Sequence, residues 1–370
     1  MRIGVPKEIK IEEYRVGLTP DSVRQYVAHG HEVFIEAGAG EGSSCSDQDY
    51  RAAGAVIIDH AAQIFSDTEM IIKVKEPQAM ERKMLQQGQI LFTYLHLAPD
   101  PDQTKDLIDS GSICIAYETV TDRNGNLPLL TPMSQVAGRL SIQAGARCLE
   151  KEMGGRGVLL GGVPGVAPAK VTIVGGGVVG EHAIIMALGL GADVTVLDTD
   201  VDVLSRLALR YSPALKTVYS SISAREELIA GSDLVVGAVL VAGAEAPKVI
   251  TKEMVKAMKS GTVLVDVAID QGGCFETSQA TTHKDPTYAI DDVIHYCVAN
   301  MPSAVPCTST YALNNATTPF GMALADKGWR QALKEDGNLR NGLNVCAGNI
   351  TNKAVADALN YAYLEPSSLV

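Results

Sequence analysis

The chain has 370 residues and a formal net charge of −12, and its basic residues form no block. Nucleic acids and anionic membranes need a positive footprint, so we expect neither as a partner. The length is too great for one ordinary core and suits two domains. The seven cysteines form no C-x-x-C pair and the first residues do not resemble a secretory signal. We therefore expect reduced thiols and a cytoplasmic protein.

In the first third of the chain, short apolar segments alternate with helical ones. The segments predicted as strands are Arg2–Val5, Glu32–Ile35, Met70–Val74, Ile90–Leu95 and Ser112–Tyr117. Those predicted as helices are Thr19–His29, where a threonine cap precedes a proline, and Asp102–Ser110. This alternation is typical of a parallel, doubly wound sheet.

A second series of apolar segments begins near Lys170. The strands predicted there are Val171–Val174, Val194–Leu197, Leu234–Val239 and Val263–Ala268. Long helical stretches lie on either side of it, at Pro132–Met153 and Tyr311–Leu333, and Thr351–Tyr363 is also helical. The chain is thus expected to be an α/β protein with two doubly wound, Rossmann-like domains joined by long helices.

The most specific motif is G-x-G-x-x-G, formed by Gly175, Gly177 and Gly180 between a predicted strand and a predicted helix, Glu181–Leu190. In such a turn the glycines allow a tight bend, close approach of a pyrophosphate and close packing of helix on strand. The free N–H groups of the helix then bind phosphate. An isolated glycine motif can be an ordinary loop, but here strand, turn, helix and second strand follow in order.

An acidic residue closes the second strand, as the ribose of a dinucleotide requires. Asp198 lies 18 positions after Gly180, and Asp200 is the rival just past the strand end. A carboxylate there accepts ribose hydroxyls and repels a 2′-phosphate, and no arginine is adjacent in sequence. The pattern therefore favours NAD over NADP. We expect residues 131–305 to form the NAD-binding domain, and residues 1–130 with 306–370 the substrate-binding, catalytic domain.

Four polar residues follow predicted strands, where ligands bind in open α/β sheets. Arg15 can hold a carboxylate in two hydrogen bonds and Lys75 adds a point charge. His96 can move a proton near neutral pH, and Asp270 can share that role. Each also has a structural explanation: the two cations as solvated surface charges, His96 as a hydrogen-bonded structural residue, and Asp270 as a turn cap.

At this point the sequence resembles the alanine dehydrogenase family, which includes the NAD-binding subunit of transhydrogenase. The stretches that carry the resemblance include Met1–Glu8, Glu13–Pro20, Ile72–Pro77, Tyr94–Ala98, Pro132–Ser134, Ala137–Arg139, Gly161–Val166, Asp266–Gly273 and Asn300–Pro302. The resemblance implies NAD-dependent, reversible oxidative deamination of L-alanine to pyruvate and ammonia. It also implies a homohexamer.

The resemblance assigns roles residue by residue. It implies that Arg15 and Lys75 bind the substrate and that His96 and Asp270 are catalytic. Beside the glycine turn, the NAD contacts that it implies are Ser134, Val178, Val179, Asp198, Ser220, Val239, Leu240, Val267, Ala268, Ile269, Asp270, Val298, Ala299, Asn300 and Met301.

The chain departs from the family at a few positions. Val203 and Gln279 stand where some members have a basic residue and an arginine. The segment Phe320–Trp329 has no pair of Glu and His, so we expect no metal. Two other functions stay open at this stage: a non-catalytic NAD sensor, and an oxidoreductase for another small oxo acid such as glyoxylate.

Overall fold

A computed structural model describes residues 1–239 and 246–370. The chain divides into two compact units. Unit 1 comprises Met1–Met133 and Ser303–Val370, and unit 2 comprises Ser134–Pro302. Unit 2 is therefore inserted into unit 1, because the chain leaves unit 1 and later returns to complete it.

The amino-terminal part of unit 1 alternates strands with helices. Its strands are β1 (Arg2–Val5), β2 (Glu32–Glu36), β3 (Val56–Ile58), β4 (Met70–Ile72), β5 (Ile90–Thr93) and β6 (Ile113–Ala116). Its helices are α1 (Pro20–Ala28), α2 (Asp47–Ala52), α3 (Ala61–Asp67), α4 (Ala79–Arg82) and α5 (Pro101–Ser110). Thr19 and Asp100 cap α1 and α5 through their side-chain oxygens, and a proline opens each helix. These caps satisfy N–H groups that have no partner within the helix.

Helix α6 (Thr131–Cys148) begins in unit 1 and belongs to unit 2 from Ser134 onward. The strands of unit 2 are β7 (Lys170–Val174), β8 (Asp193–Asp198), β9 (Leu215–Tyr219), β10 (Leu234–Gly237), β11 (Val263–Asp266), β12 (Thr287–Ile290) and β13 (Val293–Tyr296). Its other helices are α7 (Val178–Gly189), α8 (Val201–Tyr211), α9 (Ile222–Gly231) and α10 (Lys252–Lys256).

The carboxyl-terminal part returns to unit 1 and completes its sheet. It contains α11 (Pro306–Lys327), α12 (Trp329–Glu335), α13 (Gly337–Arg340), β14 (Leu343–Cys346), β15 (Asn349–Ile350) and α14 (Lys353–Leu359). The sheet of unit 1 has the order β15-β14-β6-β5-β4-β1-β2-β3. Strands β1 to β6 are parallel, and β14 and β15 extend the sheet antiparallel.

The sheet of unit 2 has the order β12-β13-β11-β10-β7-β8-β9. Its strands are parallel except for β12, which pairs antiparallel with β13. In each unit the chain starts at a central strand, builds one side of the sheet and then crosses to the other. The crossing lies between β1 and β4 in unit 1 and between β7 and β10 in unit 2. Ligands bind at such switch points, beyond the carboxyl ends of the strands.

The fold class predicted from the sequence is confirmed, and the differences concern particular elements. The helix expected at Tyr311–Leu333 begins earlier, at Pro306, and is interrupted at Gly328, which has a φ of +73°. The predicted strands at Met70, Ile90 and Val263 end two residues earlier than expected. Strands β3, β9, β12, β13, β14 and β15 were not predicted. Among the described residues, no helix combines the length and apolar character needed to cross a membrane.

Candidate active site

Arg15 lies in the connection between β1 and α1 and is only 2% exposed. Glu13 accepts two hydrogen bonds from its guanidinium, from Nε at 2.7 Å and from Nη2 at 2.5 Å, and one from its backbone N–H. On the other edge of the guanidinium, Nη1 contacts the Sδ atom of Met133 at 3.0 Å. Burial acts to lower the pKa of Arg15, but Glu13 more than offsets this and the pKa is raised. Arg15 is therefore a fixed, buried cation and not a solvated surface charge.

Lys75 lies three residues beyond the end of β4 and is half-buried. Its position is set by a buried carboxylate, because Glu8 Oε1 accepts the backbone N–H groups of Val74 at 2.7 Å and Lys75 at 3.2 Å. The carbonyl of Lys75 accepts a hydrogen bond from Thr93 Oγ1 at 3.0 Å. The backbone at Lys75 is thus tied both to the segment after β1 and to the end of β5.

Lys73 explains how Glu8 is held there. Its ammonium group is fully buried between Glu8 Oε2, at 3.0 Å, and Glu81 Oε1, at 2.7 Å. Burial raises the pKa of Glu8 although Lys73 opposes this effect. Lys73 lies within the predicted strand Met70–Val74, and the structure gives it an internal ion-pair role.

His96 lies three residues beyond the end of β5. Its φ is +50°, a left-handed conformation that is uncommon for residues other than glycine. Glu118 Oε1 accepts the backbone N–H of His96 at 2.6 Å and lies 4.0 Å from its Nδ1 atom. The imidazole is 46% exposed and is stacked on the ring of Tyr94, with 5.9 Å between ring centroids.

Unit 1 therefore brings three predicted residues to one edge of its sheet. Arg15, Lys75 and His96 follow the carboxyl ends of β1, β4 and β5, which are neighbouring parallel strands. This edge combines a buried guanidinium, an ammonium group and an exposed imidazole. The set can bind a small carboxylate and exchange a proton with a group attached to it.

The glycine turn of unit 2 has the geometry that a dinucleotide requires. Gly175 has a φ of +102°, and an added Cβ would lie 2.5 Å from the carbonyl oxygen of Ala238 at the switch point. A Cβ on Gly180 would lie 1.8 Å from the carbonyl oxygen of Gly175, so the third glycine permits close packing. Gly177 caps α7 without a side-chain hydrogen bond, and no atom lies within 4 Å of where its Cβ would be. Val178 and Val179 form the first turn of α7. These features fit a pyrophosphate at the helix N-terminus.

The two candidate ribose ligands have different roles in the structure. Asp198 ends β8 and lies against the glycine turn, where its Oδ2 atom accepts the backbone N–H of Gly176 at 2.6 Å. Asp200 caps α8 and accepts the N–H groups of Asp202 and Val203. Asp198 Oδ1 also accepts the backbone N–H of Asp200, at 2.9 Å, so that both carboxylates accept backbone hydrogen bonds but only that of Asp198 contacts the glycine turn.

An arginine that is distant in sequence comes close to this strand end. Ser220 follows β9, and its N–H donates to the carbonyl oxygen of Asp198 at 2.9 Å. Arg225 Nη1 donates to the carbonyl and hydroxyl oxygens of Ser220, at 2.8 and 3.2 Å. Its Nε atom is buried and has no hydrogen-bond partner in the described part of the chain. The expectation that no arginine is near Asp198 holds only for the local sequence.

The other NAD contacts implied by the resemblance lie mostly along the same edge of the sheet. Val239 follows β10, the residues from Val267 to Asp270 form a 3₁₀ turn after β11, and those from Val298 to Met301 follow β13. Asp270 Oδ1 accepts the backbone N–H of Asn300 at 3.3 Å, which joins the last two groups. Ser134 lies in the first turns of α6. Leu240 lies outside the described residues.

Two departures from the family and the metal prediction can be placed as well. The side chain of Val203 packs on Gly176, where a Cβ would lie 2.8 Å from its Cγ1 atom. Gln279 lines a cavity of about 350 Å³ together with Lys252 and Lys256. Among residues 1–239 and 246–370, no group of three or more His, Cys, Asp or Glu side chains is arranged to hold a metal ion.

Several carboxylates at the site were missed by the sequence analysis. Glu8, Glu13 and Glu118 each hold the backbone or side chain of a predicted site residue. Two signals could have found them. Glu13 lies two positions before Arg15 within a motif of the resemblance, and Glu118 follows the carboxyl end of β6, next to β5.

Two doubly wound units, one with a glycine turn that fits a dinucleotide and the other with a cationic sheet edge that fits a carboxylate, are typical of oxidoreductases with a nicotinamide cofactor. Residues 4–137 match the model of the N-terminal domain of alanine dehydrogenase/PNT, and residues 141–353 match its C-terminal domain. The chain belongs to the alanine dehydrogenase/PNT family.

The similarity to individual members covers nearly the whole chain. The sequence is 60% identical to the alanine dehydrogenase of Halomonas elongata and 51% identical to that of Mycolicibacterium smegmatis, each over 370 residues and 100% of both chains. A solved structure of an L-alanine dehydrogenase is 51% identical and superposes with a TM-score of 0.95, covering 97% of this chain and 99% of that chain.

Proposed function

We propose that this chain uses NAD to oxidise L-alanine to pyruvate and ammonia, and that it also catalyses the reverse reaction. The observation that supports this most strongly is the full-length similarity to alanine dehydrogenases, at 51–60% identity. NAD rather than NADP is favoured because the Asp198 carboxylate ends β8 against the glycine turn, where it would repel a 2′-phosphate.

Each unit then has one binding task. Unit 1 binds the amino acid, with its carboxylate on Arg15 and Lys75. Unit 2 binds NAD through the turn from Gly175 to Gly180, the first turn of α7, Asp198, Ser220, and the segments after β10, β11 and β13. When bound, NAD supplies a hydride acceptor for the Cα hydrogen of alanine.

The side chains of the protein carry the remaining chemistry. Arg15 orients the substrate because Glu13 fixes the plane of its guanidinium. His96 and Asp270 move the protons that accompany the addition of water to the imine carbon and the release of ammonia.

We also propose that the protein is a cytoplasmic homohexamer. A reducing compartment agrees with seven cysteines that are all free thiols. The exposed apolar side chains of Leu159, Val163 and Val166 fall in one short segment of unit 2, as is common at subunit contacts. Light scattering of the purified protein would give the number of subunits.

The activity is tested by following NAD reduction with a panel of L-amino acids and 2-hydroxy acids. We expect turnover with L-alanine, and NADH oxidation with pyruvate only when ammonium is present. Glyoxylate with ammonium is the matched comparison for another small oxo acid. Turnover with 2-hydroxy acids alone, or none with any substrate despite NAD binding, would contradict the proposal.

A further inference from the structure

Side chains from other elements hold the backbone on both sides of His96. Glu118 accepts the N–H of Leu95 with both carboxylate oxygens, at 3.2 Å, and that of His96 at 2.6 Å. Gln103, in α5, donates to the carbonyl of Leu95 at 2.6 Å, and Thr104 donates to that of Leu97 at 3.0 Å. This dense set of hydrogen bonds surrounds a left-handed residue, His96.

A left-handed conformation is costly for a residue that has a Cβ atom. It typically costs on the order of 1–3 kcal/mol and persists only where the surroundings over-determine it. Gln103 and Thr104 fix the two flanking carbonyl groups, but only Glu118 among these side chains bonds the N–H of His96 itself. Glu118 is 13% exposed and follows β6 in a 3₁₀ turn, so that its carboxylate has a rigid base.

We propose that Glu118 is the positioning residue of His96. It holds the His96 backbone in the left-handed conformation and so directs the imidazole to the substrate-binding edge of unit 1. The carboxylate lies on the Nδ1 side of the ring, at 4.0 Å. The other nitrogen, Nε2, is therefore the one that exchanges protons with the substrate. This inference rests on the proposed function, in which His96 is catalytic.

The first test compares Glu118→Ala with Glu118→Gln. The alanine variant loses the hydrogen bonds from the N–H groups of Leu95 and His96, so the backbone of His96 can relax to an extended conformation. We expect kcat for alanine oxidation to fall at least about 100-fold, in the range that a general acid–base group contributes, while KM for NAD stays within about threefold. The glutamine variant keeps a carbonyl oxygen as acceptor, so its kcat should be at least about tenfold higher than that of the alanine variant. Turnover near that of the parent in Glu118→Ala, or no recovery in Glu118→Gln, would overturn the proposal.

Glu69→Ala provides a matched control at the amino ends of the parallel strands, away from the proposed site. Glu69 also accepts a backbone N–H through its carboxylate, from Arg2 at 2.7 Å, but it precedes β4. Its loss should leave kcat unchanged. Melting temperatures of all variants show whether each protein is folded at the assay temperature.

A double-mutant cycle separates positioning from a general structural role. Glycine adopts positive φ without strain, so His96→Gly should fold with or without Glu118. If Glu118 acts through His96, adding Glu118→Ala to His96→Gly should change the residual turnover by less than about threefold. An equal loss in both backgrounds would overturn the proposal. A failure of the proposed function can be distinguished from a failure of this proposal, because the parent protein would then not oxidise alanine. Full turnover by His96→Gly would show that His96 is not catalytic.

Discussion

At the scale of single residues, the proposed substrate-binding edge contains charges that are already paired within the protein. The guanidinium of Arg15 and the carboxylate of Glu13 are both nearly inaccessible to solvent, and they form a bidentate ion pair. Removing one partner of a buried pair typically costs about 3–5 kcal/mol, because the remaining charge stays buried. Arg15→Ala would therefore test stability as much as binding.

Arg15→Lys is the more informative variant because it keeps the charge but loses the planar fork. We expect KM for pyruvate to rise roughly 10–150-fold, since a hydrogen bond to a charged group typically contributes about 1.5–3 kcal/mol, while KM for NADH stays near that of the parent. Initial-rate kinetics at saturating ammonium measures both values, and thermal melting confirms that the variant is folded. An unchanged KM for pyruvate would show that Arg15 does not bind the substrate.

Cofactor choice is a second property that belongs to single residues. Asp198→Ala removes the expected ribose ligand and should lower kcat/KM for NAD by roughly 10–150-fold, since hydrogen bonds to charged groups contribute about 1.5–3 kcal/mol. We expect Arg225, bonded to Ser220 beside Asp198, then to attract a 2′-phosphate. The ratio of NADP to NAD activity should rise, and adding Arg225→Gln should reverse the rise. A ratio that stays at the parent's value in Asp198→Ala would mean that another residue reads the ribose.

At the scale of elements, a cluster of charges joins α7 to α8 next to the glycine turn. Glu181 of α7 pairs with Arg206 and Arg210 of α8 and accepts a hydrogen bond from Tyr211 at 2.9 Å. Arg206 also donates to the carbonyl oxygen of Gly176 at 3.3 Å. Burial acts to raise the pKa of Glu181, but these partners outweigh it and the pKa is lowered. The glycine turn is thus stabilised by a salt-bridge network.

The lowered pKa of Glu181 determines how this network should depend on pH. A carboxylate whose pKa is depressed in the folded state stabilises the fold above its ordinary pKa of 4.5, and the effect is lost as the pH falls through the folded value. Glu181→Gln should lower the free energy of unfolding by about 1–2 kcal/mol at pH 7. The difference from the parent should shrink below about pH 4.5. Urea titrations at several pH values measure it, with the exposed Glu226→Gln as control; a difference that does not vary with pH would contradict this role.

At the scale of the whole molecule, the sequence was sufficient where one local pattern determines the result. Several parallel strands are buried on both faces and appear in the sequence as continuous apolar segments, namely β1, β4, β5, β7, β8, β10 and β11. The glycine turn also has a local signature. The predicted positions of Arg15, Lys75 and His96 follow from the rule that ligands bind beyond strand ends.

The features that the sequence did not reveal depend on contacts between distant segments. Strands β14 and β15 are short. Strand β14 forms because Leu343 and Cys346 pair with β6, far away along the chain, and β15 then pairs with β14. Glu8 supports Lys75 only because β1 and β4 are neighbours in the sheet. In the same way, Glu118 reaches His96 because β5 lies next to β6. Neither partner can be found from the spacing of residues alone.

The insertion of unit 2 into unit 1 has a consequence for synthesis on the ribosome. Strand β6 is complete at Ala116, but its outer neighbour β14 begins at Leu343. At a translation rate of about 5–20 residues per second, β6 stays without its outer partner for roughly 10–50 s. All of unit 2 emerges during this time and can fold. An unpaired, apolar strand edge is a template for wrong association. We therefore expect the nascent chain to be prone to aggregation during this period, and a chain truncated before Leu343 to keep that exposed edge.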